Sequence, residues 1–286
     1  MMEQRNQSMV GKTCLVTGAT SGIGKETALE LARMGAQIVI VSRNSLRCQQ
    51  TVASIRKETG NSGVDFLTTD LSSQTGIREL AQNFQAKYKN LDVLVNNAGG
   101  IFLRRKESPD GIEMTFALNH LSYFLLTNLL LGMLKENSPS RIVNVASNAH
   151  YGKMLNFDDL QFKRRYQPLK AYGNSKFANV LFTYALARKL EGSGVTVNAL
   201  HPGFVATNIG KDNGFFVRLI YPILKTRMIT PEEGAQTSIY LATSTEVEDI
   251  SGKFFVMKEP VKSDGSTYDE QAQNQLWKIS EELTGL

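Results

Sequence analysis

The sequence predicts an α/β fold, a doubly wound parallel sheet of about seven strands flanked by helices. Short runs rich in β-branched residues alternate with amphipathic segments along the whole chain. Several of these runs are apolar at nearly every position, as strands covered on both faces of a parallel sheet are. No linker, repeat or low-complexity tract divides the 286 residues. We therefore expect a single domain over residues 1–286.

The positions of the strands and helices follow from the same patterns. Each predicted strand is a short apolar run, and the seven runs begin at Thr13, Gln37, Val64, Leu91, Arg141, Val195 and Lys253. Apolar residues at helical spacing predict helices over residues 22–34, 44–59, 73–88, 110–136, 168–191 and 231–244. Ligands of such sheets bind beyond the carboxyl ends of the strands. The residues that follow each strand therefore carry the functional information.

Bulk composition restricts the class of partner. A hydrophobic content of 42% and a charged content of 21% are typical of a globular protein with a substantial core. The formal net charge of +5 is mild and the basic residues are scattered, so no nucleic-acid partner is expected. Cys14 and Cys48 have neither metal-ligand spacing nor the density of secreted disulfides, which favours a reducing compartment. The histidines also lack ligand spacing, and we expect no metal site.

Apolar segments are short. The N-terminal "MMEQRNQSMVGK" contains nothing that resembles a signal peptide. The most apolar stretch, "LSYFLLTNLLLGML", is too short and too interrupted by polar residues for a membrane span, and it favours a buried helix. We expect a cytoplasmic protein, with peripheral contact to a membrane left open.

A glycine-rich loop follows the first predicted strand. In "TGATSGIG", Thr17 to Gly24, the three glycines permit a tight turn and a close approach of the backbone to a pyrophosphate. The N-terminus of the next helix favours that anion electrostatically. The spacing, Gly-x-x-x-Gly-x-Gly, differs from the common dinucleotide motif, and glycine in a turn of this kind can serve sterics alone. Its place after a strand and before a helix favours nucleotide binding.

The second strand ends in "VSRNS". Where NAD-binding proteins place an acidic residue against the ribose, this chain has Ser42 followed by Arg43. The loss of a carboxylate and the gain of a guanidinium suit a 2′-phosphate. We therefore expect NADP(H) rather than NAD(H). The alternative is a solvated arginine at a strand end.

Tyr172 and Lys176 in "KAYGNSKFAN" stand four residues apart, so a helix places both on one face. Such a pair also occurs by chance. A free tyrosine, with a pKa of about 10, is a poor acid or base at neutral pH. An ammonium close by stabilises the phenolate and lowers the pKa of the phenol. The pair is thus a candidate general acid/base.

Taken together, these motifs resemble the short-chain dehydrogenase/reductase family. They are "TGATSGIG", "NNAG" at residues 96–99, Asn119, Ser147 and "YGNSK" at residues 172–176, in order along nearly the whole chain. The resemblance implies a Rossmann-like domain, a nicotinamide cofactor, and hydride transfer with Tyr172 as the catalytic acid/base. It makes Lys176 and Ser147 the helpers of Tyr172, and Asn119 part of a proton relay. Ser147 as a turn residue and Asn119 as a helix-breaking residue are the alternatives.

The resemblance also implies the cofactor contacts. Asp70 and Leu71 match the pair that flanks the adenine, and "PGFVAT" matches the loop beside the nicotinamide. It divides the domain into a mainly cofactor-binding core, 10–200, and a part with the substrate loop, last strand and C-terminal helix, 201–286. The full set of cofactor-binding candidates is Gly18, Thr20, Ser21, Gly22, Ile23, Gly24, Arg43, Asn44, Asp70, Leu71, Asn97, Ala98, Gly99, Tyr172, Lys176, Pro202, Gly203, Val205 and Thr207.

Within the family, the chain looks most like retinol dehydrogenases and their WW-domain-containing oxidoreductase relatives. "TFALNHLSYFLLT", the insertion between Ser147 and Tyr172, and the ending "LWKISEELTGL" carry this likeness. Several members of that branch have an N-terminal membrane anchor, whereas this chain begins almost directly at the first strand. The helices over 110–136 and 168–191 match surfaces that often pair in the family, which suggests a homodimer or homotetramer.

The expected substrate is a lipophilic alcohol, aldehyde or ketone, such as a retinoid, a steroid or a long-chain carbonyl compound. The apolar and basic segment 214–228 suggests a lid that touches a membrane surface, or else a plain amphipathic helix. His150 is a candidate for the pocket wall, and His201 a structural residue at a strand end. A catalytically silent NADP-binding sensor or scaffold is the alternative function. A dehydratase or epimerase of the family's extended branch fits the length less well.

Overall fold

The computed structural model describes residues 8–205 and 228–286. Within them, a sheet of eight strands runs in the order β3-β2-β1-β4-β5-β6-β7-β8. Its strands are Thr13–Thr17, Gln37–Ser42, Val64–Thr68, Val93–Asn96, Ser140–Val145, Val195–His201, Phe254–Val256 and Glu259–Val261, β1 to β8 in chain order. All neighbours are parallel except β7 and β8. The predicted doubly wound parallel sheet is therefore confirmed.

The eighth strand was not predicted. Glu259–Val261 pairs antiparallel with β7 after a two-residue turn in which Met257 and Lys258 both have positive φ, 51° and 70°. The strand has three exposed residues and a proline, so its sequence carries neither an apolar run nor an alternating pattern. Proline is tolerated there because the strand lies at the sheet edge.

The helices agree closely with the predicted segments. Helices α1 to α8 span Gly22–Arg33, Ser45–Thr59, Gln74–Lys87, Met114–Phe116, Ser122–Glu136, Pro168–Lys189, Pro231–Thr243 and Glu270–Thr284. The fourth predicted helix, 110–136, begins instead at Met114, because the Glu113 carboxylate caps the first turn by accepting hydrogen bonds from Thr115 and Phe116 N–H. Its path is also interrupted between α4 and α5 by a π-helical turn, Ala117–Leu121.

Alternating side chains of β1 show how the two faces of the sheet are covered. Cys14 and Val16 pack in a core with α1, α2 and α7, whereas Leu15 packs in a second core with α3, α5 and α6. Helix α8 lies outside the second layer, where Leu276 packs against Phe177 and Leu181 of α6. This arrangement buries both faces of the central strands, as their near-continuous apolar sequence requires.

The helical stretch Met114–Glu136 is long and apolar enough to cross a membrane by length and composition alone. Of its most apolar 18-residue window, 72% is buried inside the protein. The same test is passed by core helices of soluble proteins, and Phe124, Leu125 and Leu130 of this stretch are almost completely buried. The expectation of a buried helix over these residues is met.

Candidate active site

Tyr172 and Lys176 lie one turn apart on α6, at the carboxyl edge of the sheet. The lysine is 4% exposed, and its Nζ donates a hydrogen bond of 2.8 Å to the carbonyl of Val145, the last residue of β5. This bond fixes the helix face against the strand end. The Lys176 Nζ lies 5.8 Å from the ring centroid of Tyr172 and 5.6 Å from that of Tyr123. Of the pair that the sequence places on one helix face, Lys176 is therefore inside the protein and Tyr172 is half-buried beside it.

Burial shifts both groups toward their neutral forms. It lowers the pKa of Lys176 from 10.5 to about 7, so the lysine is only partly charged at neutral pH. It raises the pKa of Tyr172, and a hydrogen bond from Ser147 opposes that rise. In the protein without cofactor, the pKa of Tyr172 is therefore not lowered by the ammonium as expected. The loss of water around the phenol raises this pKa, and Lys176, which is only partly charged, does not offset the rise.

Ser147 follows β5 and begins a short turn, Asn148–His150. Its Oγ accepts a hydrogen bond of 3.1 Å from the N–H of Ala149. The hydroxyl hydrogen is then left for the Tyr172 oxygen, consistent with the effect of Ser147 on the phenol's pKa. The serine is thus both a turn residue and a donor aimed at the tyrosine, and the two interpretations of the sequence are compatible.

Asn119 lies in the π-helical turn and is completely buried. Its Oδ1 accepts from the N–H of Gly100 at 2.8 Å, and its Nδ2 donates to the Gly100 carbonyl at 3.0 Å and to Ser175 Oγ at 3.0 Å. The asparagine thus connects the loop after β4 to α6. π-helical turns are rare and frequent at functional sites.

The glycine loop after β1 is shaped by the residues that follow β4. A β-carbon on Gly24 would lie 2.4 Å from Asn97 Nδ2, and one on Gly18, whose φ is +68°, would lie 2.8 Å from Ala98 Cα. Thr17 holds the two segments together, because its Oγ1 accepts from the N–H groups of Asn97 and Ala98 at 2.9 and 3.1 Å. Gly18 and Gly24 are therefore required because the loop lies so close to Ala98 and to the Asn97 side chain.

The end of β2 lies beside that loop. Thr20 Oγ1 and Ser42 Oγ are 3.2 Å apart and form a hydrogen bond, which places Arg43 next to the glycine loop. Arg43 is exposed and forms no ion pair with a residue that the structure describes. Asn44 caps α2 by accepting from the N–H of Arg47 at 2.9 Å. A guanidinium without a protein carboxylate beside it suits an anionic group of a ligand.

Most of the remaining cofactor-binding candidates lie at the same carboxyl edge of the sheet, and one of them lies outside the described residues. Asp70 Oδ1 accepts from the N–H and the hydroxyl of Ser72, and Leu71 is 4% exposed in the core beside α3. Gly203 follows β6 with φ +90°, and Val205 forms an isolated parallel bridge with Ile229. Thr207 and all of the segment 214–228 except Met228 lie outside the described residues.

This geometry at the carboxyl ends of β1, β2, β4 and β5 agrees with comparisons to known proteins. A model of the short chain dehydrogenase family matches residues 12–214. The chain belongs to the short-chain dehydrogenase family.

Family members with curated names are similar over nearly the whole chain. Human retinol dehydrogenase 13 is 44% identical over 282 residues, which cover 96% of this chain and 85% of that protein. Human polyprenol dehydrogenase is 45% identical over 282 residues, covering 96% and 86%. Among solved structures, the Pseudomonas aeruginosa RhlG/NADP active-site complex has a TM-score of 0.70 and 29% identity over 88% of this chain and 96% of that one. The chain is thus a short-chain dehydrogenase/reductase of the retinol-dehydrogenase type.

His150 corrects one expectation drawn from the sequence. The residue is completely buried, with its ring centroid 4.6 Å from that of Phe254 in an edge-on contact, so it does not line a pocket wall. Its Nδ1 lies 2.7 Å from the carbonyl oxygen of Ser147. No sequence pattern distinguishes a histidine that holds a turn from one that faces a ligand.

His120 and Gly173 were also not assigned a role from the sequence. His120 is completely buried next to Asn119, with Nε2 3.0 Å from Ser280 Oγ in α8 and Nδ1 3.3 Å from Asn179 Oδ1. Asn179 Nδ2 in turn donates to the Asn119 carbonyl at 2.9 Å. A β-carbon on Gly173 would lie 2.8 Å from the Ala149 carbonyl oxygen, so this glycine lets α6 approach the Ser147 turn. Its place in "YGNSK" was the available signal.

His201 behaves as expected of a strand-end residue. It is the last residue of β6, partly buried, and its Nδ1 has no partner among the residues that the structure describes. Burial lowers its pKa to about 4, so the ring is neutral.

Proposed function

We propose that this protein is an NADP(H)-dependent oxidoreductase that interconverts a lipophilic alcohol and its aldehyde or ketone, with Tyr172 as the general acid/base. One observation carries the proposal. The hydroxyl of Ser147 stands close enough to that of Tyr172, which comes from a different element, to lower the pKa of the phenol, and both lie beside the buried Lys176. Two hydroxyl donors that meet at one point can bind one carbonyl oxygen.

The residues present fit a nicotinamide dinucleotide. The glycine loop stands directly before helix α1, and Gly18 and Gly24 let it lie against the residues that follow β4, where any side chain would clash. The exposed Arg43 beside Ser42 suits the 2′-phosphate of NADP. We assign the glycine loop to the pyrophosphate, Asp70 and Leu71 to the adenine, Asn97 to Gly99 and Pro202 to Thr207 to the nicotinamide side. When bound, the nicotinamide supplies or accepts the hydride.

Tyr172 transfers the proton at the substrate oxygen. In reduction, its hydroxyl donates a proton to the carbonyl oxygen, and in oxidation the phenolate removes one from the alcohol. Ser147 donates a hydrogen bond to the same oxygen, where negative charge develops. Its Oγ already accepts from Ala149 N–H, so its hydrogen is oriented before the substrate arrives.

Lys176 and Asn119 serve the proton supply. A lysine with a pKa of about 7 can take up and release a proton at neutral pH, which a normal lysine cannot do. Its second task is a hydrogen bond to the nicotinamide ribose. The carbonyl oxygen of Asn119 accepts a hydrogen bond from Asn179 Nδ2, and we assign to this asparagine a water that links the lysine to solvent.

The substrate class rests on the relatives. Two of them are named for retinol and polyprenol, which are lipophilic alcohols. We assign residues 1–286 to one domain, with the cofactor bound mainly by 10–200 and the substrate contacted by 201–286. We further assign a cytoplasmic location with peripheral membrane contact through the segment 214–228, and a homodimer or homotetramer.

Consumption of NADPH with a panel of retinal, alkanals, steroids and small quinones tests this function. We expect turnover of lipophilic carbonyl compounds and none with Tyr172→Phe. If NADPH binds and no carbonyl compound is reduced, the protein is a sensor or scaffold and the proposal is wrong.

A further inference from the structure

His150 is a buried residue whose two ring nitrogens both have main-chain partners. Nδ1 lies 2.7 Å from the carbonyl oxygen of Ser147, and Nε2 lies 3.1 Å from the N–H of Asp264. A carbonyl only accepts and an amide N–H only donates. The ring must therefore carry its hydrogen on Nδ1 and leave Nε2 without one. A second hydrogen on Nε2 would point at the Asp264 N–H, so the arrangement selects one neutral tautomer.

The His150 ring thus forms a bridge between Ser147 and Asp264. On the Asp264 side, further hydrogen bonds join the same two segments of the chain. The carboxylate of Asp264 accepts from the N–H of Gly152 at 2.7 Å, and the Tyr151 hydroxyl donates to the carbonyl of Lys262 at 2.6 Å. The turn after β5 is thus joined to the chain before α8 by three hydrogen bonds, counting that of His150. Aromatic contacts of the His150 ring with Phe254 and Tyr151, at 4.6 and 4.1 Å between centroids, hold its plane.

The Ser147 side of the bridge determines where the serine hydroxyl points. The Ser147 carbonyl accepts from His150 Nδ1 and also from the main-chain N–H of His150 at 3.1 Å, which fixes the peptide. With that peptide fixed, the Ala149 N–H reaches Ser147 Oγ at 3.1 Å. A chain of hydrogen bonds therefore runs from the Asp264 N–H through the His150 ring to the Ser147 carbonyl, and the hydroxyl of the same serine is held by the Ala149 N–H beside Tyr172.

From this chain we propose that His150 is a positioning residue for the reaction: it holds the Ser147 turn against the segment before α8 and so keeps the Ser147 hydroxyl aimed at the substrate oxygen. The inference rests on the proposed function, because it gives Ser147 its role as a donor to that oxygen. His150 itself does not touch the substrate. Its effect is expected in kcat, since an oriented donor acts on the charge that develops in the transition state.

Two substitutions separate the two ends of the bridge. In His150→Asn, the side-chain amide N–H stands near the place of Nδ1 and can still donate to Ser147, while the bond to Asp264 is lost. In His150→Gln, the amide oxygen reaches toward the place of Nε2 and can accept from Asp264, while the bond to Ser147 is lost. We expect kcat to fall about 10-fold or more in the Gln variant, part of the 10²–10³-fold that one such donor contributes. The Asn variant should retain more activity, and KM for NADPH should not change in either.

Combination with Ser147→Ala distinguishes positioning from a general structural effect. If His150 acts through Ser147, His150→Gln should lower kcat much less when Ser147 is already alanine. If the losses in kcat multiply, His150 does not act through Ser147 and the inference is wrong. Tyr184→Phe is the matched control, because it removes a buried hydrogen bond of 2.6 Å to Ser263, beside Asp264, without touching the Ser147 turn. It should lower the melting temperature and leave kcat within about twofold.

A second measurement needs no turnover. Nitrogen-15 NMR of the three histidines, with His150 assigned by its loss in His150→Asn, should show a neutral ring protonated on Nδ1 at pH 7. A ring protonated on Nε2, or on both nitrogens, would overturn the inference. A native protein that reduces no carbonyl compound would instead overturn the proposed function and with it the catalytic meaning of Ser147.

Discussion

Gly173 lies directly against the main-chain carbonyl of Ala149. A β-carbon on this glycine would come within 2.8 Å of that oxygen and 2.5 Å of the Lys153 Cε. The lysine end can move, but the carbonyl belongs to the turn that holds Ser147, so it cannot move without moving the serine. The distance between Ser147 and Tyr172 is therefore limited by the absence of a side chain next to the tyrosine.

Gly173→Ala should separate these two hydroxyl groups. We expect kcat to fall about 10-fold to 100-fold, because a displacement of about 1 Å at a reacting group has an effect of that size. Steady-state kinetics with the best carbonyl substrate of the panel provides the measurement. Gly132→Ala on α5 is the control, since a β-carbon there meets nothing within 4 Å. It should increase the free energy of unfolding by up to about 1 kcal/mol and leave kcat unchanged. An unchanged kcat in both variants would show that the Ser147 turn accommodates a β-carbon at position 173, and the prediction would be wrong.

Tyr172→Phe should remove the proton donor and leave the fold intact. We expect kcat to fall about 10²-fold to 10⁴-fold, the usual contribution of a general acid, with NADPH affinity little changed. Stopped-flow reduction and fluorescence titration of NADPH measure the two quantities. Tyr240→Phe on α7, whose hydroxyl donates to the exposed Glu246, serves as the control and should retain full activity. Substantial turnover by Tyr172→Phe would exclude the phenol as the general acid.

Arg43→Asp should change the choice of cofactor. A lost hydrogen bond from the guanidinium to a phosphate corresponds to about 1.5–3 kcal/mol, or roughly 10-fold to 100-fold in the dissociation constant of NADPH. The new carboxylate can instead accept from the ribose of NADH, so the ratio of the two constants should shift further. Arg47→Asp makes the same charge change at an exposed position of α2 and should leave that ratio nearly unchanged. Equal ratios in the native protein and Arg43→Asp would exclude the arginine as the phosphate contact.

Lys176→Met should change how stability depends on pH. Burial lowers the pKa of Lys176 from 10.5 to about 7, so between these values the unfolded chain binds a proton that the folded protein does not. The free energy of unfolding therefore gains a contribution that rises with pH across this window. Urea unfolding without cofactor at pH 7, 8 and 9 should show a steeper rise for the native protein than for Lys176→Met. Lys170→Met, an exposed lysine of the same helix, should behave like the native protein. Parallel curves for native protein and Lys176→Met would mean that the buried lysine titrates normally.

The predictable part of the fold is the part in which local pattern and tertiary environment agree. Strands β1 to β3 begin at the predicted residues, because strands buried on both faces need continuous apolar sequence. Strand β8 was missed, since an exposed edge strand needs no such sequence. The π-helical turn at Ala117–Leu121 was also missed, because it depends on contacts that Asn119 makes with Gly100 and Ser175.

The candidate active site also has a part that could be predicted from the sequence and a part that could not. The glycine loop and the Tyr172–Lys176 pair became candidates through residue type and spacing, and Ser147 became one through the resemblance to a known family. The sequence could not show that His150 joins the Ser147 turn to Asp264, because Asp264 is 114 residues away. It could not give the direction of the pKa shift of Tyr172 either, because that depends on how deeply α6 places the phenol.

By itself, the sequence determined the family, the order of the strands and helices along the chain, and the residues able to move a proton. These properties reside in local periodicity and in residue types that a mechanism demands. Only the tertiary structure decided that Lys176 is buried and close to neutral, that Ser147 lies beside Tyr172 and lowers the pKa of the phenol, and that the segment before α8 holds the Ser147 turn. Those properties come from desolvation and from bonds between distant segments, and both exist only once the chain has packed.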